Sequence, residues 1–200
     1  AAQALVKESY TDPIKTFTTN LSGSINILEL VRLSSTVKSF VFVTSDKCYE
    51  NKQWVWGYRE NDQLGGYDPY SASKAAAEII FSAYLRSYFN QKKLLGTAST
   101  RAGNVIGGGD WANDRIVPDC IKSILENRTI ELRNPDATRP WQHVLEPLNG
   151  YLLLSSKLYT NPKKYSGSWN FGPNTDQVLS VSNITKFFIE YFGRGNYKNV

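Results

Sequence analysis

The sequence predicts an α/β fold with a doubly wound parallel sheet and a smaller second lobe. Two short apolar runs, 39–44 and 94–100, alternate with longer segments of helical periodicity, which is the pattern of buried parallel strands joined by helices. The 200 residues, 41% of them apolar, suffice for one substantial core and a smaller lobe. A polar cluster directly follows the first run, at the edge where open α/β sheets bind ligands.

The first predicted helix begins at Asp12 and Pro13 and ends near Leu33. An aspartate before the first turn accepts a backbone N–H, and proline suits the first helical position. Apolar residues then recur with helical spacing. Gly23 inside this helix costs about 1 kcal/mol relative to alanine, which predicts close packing against a neighbouring backbone.

The run 39–44 predicts a strand buried on both faces. A threonine, a serine, an aspartate and a lysine occupy 44–47 at its carboxyl end, where we expect the ligand. Residues 50–69 are rich in tryptophan, glycine and aspartate. They predict a long loop, and long ordered loops are usually functional or act as lids.

The helix predicted over 69–90 carries Tyr70 and Lys74, which lie on one helix face because they are four residues apart. A lysine ammonium there stabilises the tyrosine phenolate, so Tyr70 becomes a usable base near neutral pH. Lowering a phenol pKa from about 10 by two to three units corresponds to roughly 3–4 kcal/mol. The spacing also occurs by chance on amphipathic helices, so its meaning depends on the other motifs.

The same helix has more apolar surface than a single core-facing stripe. One face can pack on the sheet and another on a partner chain. We therefore expect a homodimer or a higher oligomer formed through the helices at 14–33 and 69–90. The alternative is that another helix of the same chain covers the second face.

The strand 94–100 leads into a glycine-rich turn, 101–111, that does not match the phosphate-cradling pattern between a strand and a helix. We expect this turn to lead into the second lobe, so that residues 1–105 form the first domain and 106–200 mainly the second. The further predicted elements are helices near 115–126, 146–157 and 180–191, the last capped by Ser180, and strands at 130–132 and, near the domain junction, 168–173.

Composition excludes several classes of protein. No stretch of eighteen apolar residues and no signal-peptide pattern occurs, so we expect no membrane partner and a cytoplasmic location. Cys48, Cys120 and His143 make neither a disulfide framework nor a metal site. The net charge of +5 comes from scattered basic residues, which argues against nucleic acid and suits an anionic small molecule or a fragment of a longer protein.

Several motifs together resemble a known family: the stretch 44–49, the start of the Tyr70–Lys74 helix, the turn 101–111 and the stretch 139–144. Over almost the whole chain they resemble the extended short-chain dehydrogenase/reductase family. Within it the chain is similar to the NAD-dependent nucleotide-sugar 4,6-dehydratases, above all those acting on CDP-glucose. The resemblance implies a Rossmann-like fold that is incomplete at the N-terminus, because the family's phosphate-binding glycine loop and ribose-binding acid are absent. It also implies an internal fragment of a longer enzyme.

The resemblance further implies an intramolecular redox dehydration with NAD as cofactor. The sugar is oxidised at C4, loses water across C5 and C6, and regains hydride at C6. Tyr70, assisted by Lys74, would take the 4-hydroxyl proton, Ser45 would hydrogen-bond the 4-oxygen, and Asp46 would protonate the leaving hydroxyl. Related dTDP-glucose dehydratases have a glutamate base where this chain has Lys47. Either Lys47 takes the C5 proton, if desolvation lowers its pKa, or it is a cation that holds Asp46 or a phosphate.

The remaining site residues follow from the same resemblance. Arg115 and Arg139 suit a substrate diphosphate, because a guanidinium fork matches phosphate oxygens; alternatively, either is a surface arginine. Asn104 would bind the substrate or the amide end of the cofactor. The expected cofactor-binding residues are Ala1, Ala2, Thr44, Tyr70, Lys74 and Arg101.

Other functions stay open. A nucleotide-sugar 4-epimerase, or a dehydratase of another nucleotide sugar, shares the oxidation at C4. Asp46 and Lys47 beside Ser45 favour elimination, because an epimerase needs no acid or base beyond the tyrosine. A non-catalytic relative would have lost Tyr70, Lys74 or Asp46, and all three are present. The implied pathway is deoxysugar synthesis for surface polysaccharide, such as lipopolysaccharide O-antigen.

Overall fold

The structure, a computed structural model, describes residues 2–174 and 178–200. Contacts divide the chain into two compact units, Ala1–Ala102 with Leu145–Phe171 and Gly103–Val144 with Gly172–Val200. The helices are α1 (Val6–Thr11), α2 (Pro13–Phe17), α3 (Gly23–Leu33), α4 (Pro69–Ser87), α5 (Ile116–Leu125), α6 (Leu145–Thr160), α7 (Pro162–Tyr165) and α8 (Val181–Phe192). The strands are β1 (Ser39–Val43), β2 (Gly96–Ala102), β3 (Val105–Ile106), β4 (Ile130–Leu132), β5 (Thr138–Arg139), β6 (Gln142–His143), β7 (Gly167–Phe171), β8 (Leu179–Ser180) and β9 (Tyr197–Asn199).

The first unit is built on a parallel sheet of three strands in the order β1-β2-β7. Different helices cover its two faces. One apolar cluster holds Leu28 of α3 and Phe81 of α4, and another holds Leu154 and Leu158 of α6. The predicted α/β fold with a parallel sheet is therefore confirmed.

Strand β1 alternates between the two clusters. Phe42 packs on the side of α3 and α4, where its ring stacks on Phe81 with centroids 5.7 Å apart, and Val41 packs on the side of α6. The strand is only half-buried, and Val43 is 54% exposed. The prediction of full burial needs correction, because β1 is an edge strand of the sheet in the part of the chain described.

Helices α2 and α3 form one continuous helix, which begins as predicted. Asp12 Oδ1 accepts the Lys15 N–H over 2.9 Å, and Pro13 stands in the first turn. A π-helical turn, Thr18–Ser22, joins the two helices. The expected close packing at Gly23 is wrong, since a Cβ added there would meet no atom within 4 Å.

The start of α4 is held by an N-cap and a tight glycine contact. Asp68 accepts the Ser71 N–H over 2.9 Å and the Ser71 hydroxyl over 2.6 Å, and a proline stands in the first turn. A Cβ added to Gly66 would lie 2.4 Å from the Ala72 nitrogen. The loop before α4 therefore needs glycine at this point to approach the helix.

The second unit packs α5 and α8 with the parallel pair β4 and β9. Its core contains Cys120 and Ile124 of α5 with Ile130 and Leu132 of β4. Ser180 caps α8 by accepting a backbone N–H of the first turn over 3.2 Å, as predicted. The pairs β3–β6 and β5–β8, two residues each, were not predicted.

The predicted second lobe, 106–200, includes a segment that the structure places in the first unit. Residues 145–171 belong with the first unit, because β7 pairs with β2 and α6 covers one face of the sheet. The strand expected at 168–173 is β7. The family resemblance assigns 1–105 to the cofactor and 106–200 mainly to the nucleotide sugar, and this assignment remains a prediction.

Candidate active site

Tyr70 and Lys74 stand one above the other in the first two turns of α4. The Lys74 Nζ lies 5.9 Å from the centroid of the Tyr70 ring, and both side chains are half-buried. The shared helix face expected from their spacing is confirmed. Their catalytic roles remain a prediction.

Lys74 is electrostatically perturbed. Burial lowers its pKa from the usual 10.5, and the negative charge of Glu78 opposes this shift. No described residue accepts a hydrogen bond from the Lys74 ammonium. A half-buried cation with unused donors favours a phenolate beside it and offers hydrogen bonds to a ligand.

Ser45 and Asp46 form a hydroxyl–carboxylate pair at the carboxyl end of β1. Ser45 Oγ donates to Asp46 Oδ1 over 3.1 Å and accepts the Lys47 N–H over 3.2 Å. The second bond starts the 3₁₀ turn Asp46–Cys48. Both side chains of the pair are half-buried. A hydroxyl held in this way can bond a substrate oxygen, while the neighbouring carboxyl group exchanges a proton.

The side chain of Lys47 is exposed among the described residues. Its role as a base, which depends on desolvation, remains a prediction. The alternative role, a cation beside Asp46 or a phosphate, is compatible with an exposed ammonium.

The turn Asp46–Cys48 packs directly on the helix that carries Tyr70. Cys48 and Tyr49 share a buried cluster with Ala75 of α4. Burial raises the pKa of the Cys48 thiol to about 12, which disfavours the reactive thiolate. The hydroxyl–carboxylate pair and the tyrosine–lysine face are therefore parts of one packed corner of the first unit.

Thr44 and Arg101, which are predicted to bind the cofactor, are both buried. Thr44 is 8% exposed, and its hydroxyl donates to Glu78 and to the Thr100 carbonyl. Arg101 is 4% exposed, forms an ion pair of 2.6 Å with Glu78 Oε2, and donates to Tyr49 Oη over 2.7 Å. Both side chains point into the interior because they bind a buried carboxylate. Both residues therefore have a role within the fold, and their contact with a cofactor remains a prediction.

Glu78, which is 1% exposed, is the residue that the sequence interpretation missed. A signal for it exists: it lies four residues after Lys74 and eight after Tyr70, on the same helix face, in an otherwise apolar stretch. The side chains that donate hydrogen bonds to its carboxylate include Thr44, Ser99 and Arg101.

Buried polar side chains tie the start of the chain to α4. Gln3 N–H donates to Asn20 Oδ1 over 2.9 Å, and Asn20 Nδ2 donates to Ser73 Oγ over 2.8 Å. Ala2 is exposed, and Ala1 lies outside the described residues. A contact of Ala1 or Ala2 with the cofactor stays a prediction.

Asn104, Arg115 and Arg139, the residues expected to bind substrate, belong to the second unit. Arg115 is paired with Asp110 at 2.7 Å, and both side chains are partly exposed. Arg139 donates to its neighbour's carbonyl over 2.8 Å. Their contacts with a substrate remain predictions.

Across 2–174 and 178–200, no helix is both long and apolar enough to span a membrane. Within the same residues, no three side chains of histidine, cysteine, aspartate or glutamate gather as a metal site would require.

Comparison with protein families adds an independent finding. The sequence model of the family described as GDP-mannose 4,6 dehydratase matches residues 1–167, most of the chain. The chain belongs to this family. The motif resemblance had indicated nucleotide-sugar dehydratases of the same kind.

Two curated relatives show how far the likeness extends. CDP-glucose 4,6-dehydratase from Salmonella typhimurium is 50% identical over 197 residues, which cover 96% of this chain and 55% of that protein. UDP-glucose 4-epimerase from Mycoplasma pneumoniae is 28% identical over 184 residues, which cover 86% of this chain and 54% of that protein. This member of the family therefore spans about half the length of both.

Solved structures of similar fold include a dehydratase and an epimerase. dTDP-glucose 4,6-dehydratase from Streptomyces venezuelae, crystallised with NAD, gives a TM-score of 0.84 at 22% identity, over 100% of this chain and 58% of that one. UDP-glucose 4-epimerase from Thermotoga maritima, crystallised with UDP-glucose, gives 0.83 at 23% identity, over 100% and 62%. At these identities the likeness establishes the Rossmann-like fold, and function depends on the site.

Proposed function

We propose that the protein to which this chain belongs is an NAD-dependent nucleotide-sugar 4,6-dehydratase, a hydro-lyase that converts CDP-glucose to CDP-4-keto-6-deoxyglucose. The observation that carries the proposal is the packing of the turn that begins with Ser45 and Asp46 on the helix of Tyr70 and Lys74. This corner combines a base, a hydroxyl for a sugar oxygen and an acid for a leaving group. The 50% identity to the Salmonella typhimurium enzyme supports CDP-glucose as the substrate.

The residues present suit NAD. The Lys74 ammonium is half-buried beside Tyr70 and donates to no described residue, and hydroxyl oxygens such as those of a ribose are acceptors for it. When bound, NAD accepts a hydride from C4 of the sugar and returns it at C6. NAD in the Streptomyces venezuelae dehydratase structure supports the same cofactor here.

Each residue of the corner has a stated task. Tyr70, as phenolate, takes the proton of the sugar 4-hydroxyl, and the positive charge of Lys74 stabilises that phenolate. Ser45 donates a hydrogen bond to the 4-oxygen. Oxidation at C4 turns this oxygen into a ketone, which makes the C5 proton acidic. Asp46 gives its proton to the hydroxyl that leaves C6. Lys47 is the candidate base for the C5 proton or the cation that supports Asp46.

A 4-epimerase is the second candidate, because UDP-glucose 4-epimerases occur among both the sequence relatives and the solved structures. An epimerase needs no acid beyond the tyrosine, so the Asp46 carboxyl bonded to Ser45 favours elimination. A dehydratase of another nucleotide sugar is supported by the dTDP-glucose enzyme of similar fold.

The proposal extends to ligand placement. The first part of the chain, 1–105, serves the cofactor, and the part from 106 onward serves the nucleotide sugar, apart from the returning segment 145–171. Arg115 and Arg139 would bind the diphosphate through their guanidinium groups, and Asn104 the sugar or the cofactor amide.

Assembly and location also belong to the proposal. Exposed apolar side chains on the helices at 14–33 and 69–90, among them Ile14, Leu30 and Ile79, support a homodimer formed through these helices. Two free buried cysteines suit the reducing cytoplasm. The product would enter deoxysugar synthesis for surface polysaccharide, such as O-antigen.

The test uses the full-length protein purified with NAD. CDP-glucose, dTDP-glucose and UDP-N-acetylglucosamine are offered in turn, and the 4-keto-6-deoxy product is followed by its absorbance after addition of base. We expect turnover of CDP-glucose that falls by about a hundredfold or more in Tyr70→Phe and in Asp46→Asn. Epimerised sugar alone, or no product from any of the three, would overturn the dehydratase assignment and leave the fold unaffected.

A further inference from the structure

Glu78 is a charged side chain inside the helix face that carries Tyr70 and Lys74. The three residues follow one another at intervals of four, so they form one row along α4. Tyr70 and Lys74 are half-buried, whereas Glu78 is completely enclosed. The row therefore runs from the candidate site into the interior.

The Glu78 carboxylate joins α4 to the residue that follows β1 and to strand β2. Its Oε1 accepts a hydrogen bond from Thr44, the residue directly after β1. Its Oε2 accepts from Ser99 Oγ over 2.9 Å and from Arg101 Nη2 over 2.6 Å, both on β2. Because Thr44 directly precedes Ser45, this carboxylate sets the distance between the tyrosine helix and the hydroxyl–carboxylate pair.

Arg101 extends the connection to the other end of the same turn. Its Nη1 donates to Tyr49 Oη over 2.7 Å, and its guanidinium carbon lies 5.0 Å from the centroid of the Tyr49 ring. Tyr49 directly follows the turn Asp46–Cys48. The ion pair of Glu78 and Arg101 thus holds the residue before Ser45 and the residue after the turn.

Stability alone is a poor reason for this pair. Burying a carboxylate and a guanidinium carries a desolvation penalty that apolar side chains of similar size avoid, and such replacements often leave a protein as stable as before. Unlike an apolar pair, the ion pair forms directional hydrogen bonds to Thr44, to Ser99 of β2 and to Tyr49.

We propose that Glu78 is a positioning residue, which fixes the Tyr70–Lys74 face of α4 against Ser45 and Asp46 through Thr44 and, with Arg101, through Tyr49. Its effect on turnover rests on the function proposed above. Its effect on how firmly residues 44–49 and 69–78 are held in place is independent of that function.

The experiment weakens the two arms separately and leaves the ion pair intact. Thr44→Val removes one hydroxyl from a side chain of the same shape, and Tyr49→Phe removes the other. Thr44→Ser restores the first hydroxyl. Tyr84→Phe is the matched control, because Tyr84 Oη also donates to a carboxylate, that of Glu29, from the far end of α4.

Kinetics in the full-length protein with NAD and CDP-glucose give the first readout. We expect kcat to fall about tenfold or more in Thr44→Val and Tyr49→Phe with KM within about twofold, because misplaced groups lose rate rather than binding. Thr44→Ser and Tyr84→Phe should keep kcat within about twofold. If the wild-type protein is active and both Thr44→Val and Tyr49→Phe have the wild-type kcat, the proposal is overturned.

Amide hydrogen exchange gives a second readout that needs no turnover. In Thr44→Val, peptides spanning 44–49 and 69–78 should exchange about tenfold faster, while peptides of α5 keep their rates. Acceleration throughout the chain, or none at 44–49, would contradict positioning. If wild-type protein turns over none of the three nucleotide sugars, the proposed function fails, and the exchange pattern still decides whether Glu78 holds the two segments.

Discussion

Asn20 Nδ2 donates to Ser73 Oγ over 2.8 Å, and this bond joins residues 53 positions apart in the chain. Asn20 stands in the π-helical turn between α2 and α3, and Ser73 Oγ donates in turn to the Tyr70 carbonyl over 2.7 Å. Both side chains are buried. The first turns of α4 are therefore held from the side of the preceding helix as well as from the sheet.

We expect Asn20→Ala to destabilise the protein. The substitution removes the acceptor of the Gln3 N–H and the donor to Ser73, so buried polar groups lose their partners, which costs about 1–3 kcal/mol. Urea denaturation measures the change in the free energy of unfolding. Asn90→Ala, at an exposed position, is the control and should stay within about 0.5 kcal/mol. Equal losses in the two variants would contradict the structural role of Asn20.

Removing one charge of the buried pair should cost more than removing both. Glu78→Ala leaves the Arg101 guanidinium uncompensated in the interior, and we expect a loss of about 3–5 kcal/mol. The double variant Glu78→Gln/Arg101→Met removes both charges at similar volume and should lose about 2 kcal/mol or less. Denaturant titration of both variants checks the order. A double variant less stable than Glu78→Ala would show that the charges themselves stabilise the fold.

The Glu29 carboxylate should give the stability a specific pH dependence. Hydrogen bonds from Arg32 and then Tyr84 lower its pKa from 4.5 to about 2. Since the folded-state pKa is the lower one, the stabilisation is present above pH 4.5 and is lost as the pH falls through about 2.

The measurement is the difference in Tm between wild type and Glu29→Gln as a function of pH. We expect a constant difference from pH 7 down to about 5, and a shrinking one between pH 4.5 and about 2. The site is partly exposed, so the difference should also shrink at high salt. A difference that stays constant across this range would exclude the proposed linkage.

Two substitutions separate the possible roles of Lys47. Arginine keeps the positive charge but does not give up its proton at ordinary pH. Because Lys47 is exposed, we expect it to act as a cation. Lys47→Arg should then retain most of the wild-type kcat, whereas Lys47→Gln should lose most of it. If Lys47 is the base for the C5 proton, both variants should lose about 10²–10⁴-fold. Steady-state rates with CDP-glucose distinguish these outcomes.

Features determined by neighbouring residues were predictable from sequence. The helix start at Asp12 and Pro13, the cap at Ser180 and the strand at Ile130–Leu132 each depend on a few adjacent side chains. The stacking of Tyr70 and Lys74 also follows from helix geometry alone. The prediction that Ser45 and Asp46 lie at the carboxyl end of β1 is likewise confirmed, whereas the role of this edge in binding a ligand remains a prediction.

Features that depend on distant partners were not predictable in this way. Glu78 and Arg101 are 23 residues apart and meet only after β2 packs beside α4, so no local pattern predicted their ion pair. Gly23 suggested a close contact, but the space around it is open. A helical pattern determines the local backbone, but it does not determine which other segments pack against it. The return of 145–171 to the first unit depends on strand pairing over a long separation.

That long separation has a consequence for synthesis on the ribosome. Ser99 of β2 bonds Ser168 of β7, 69 residues later, and residues 103–144 between them belong to the other unit. Until β7 emerges, one edge of β2 has no strand to pair with, and an open edge is a template for association with other nascent chains. Chains that terminate before Gly167 should therefore aggregate, whereas those that terminate after Phe171 keep the three-stranded sheet.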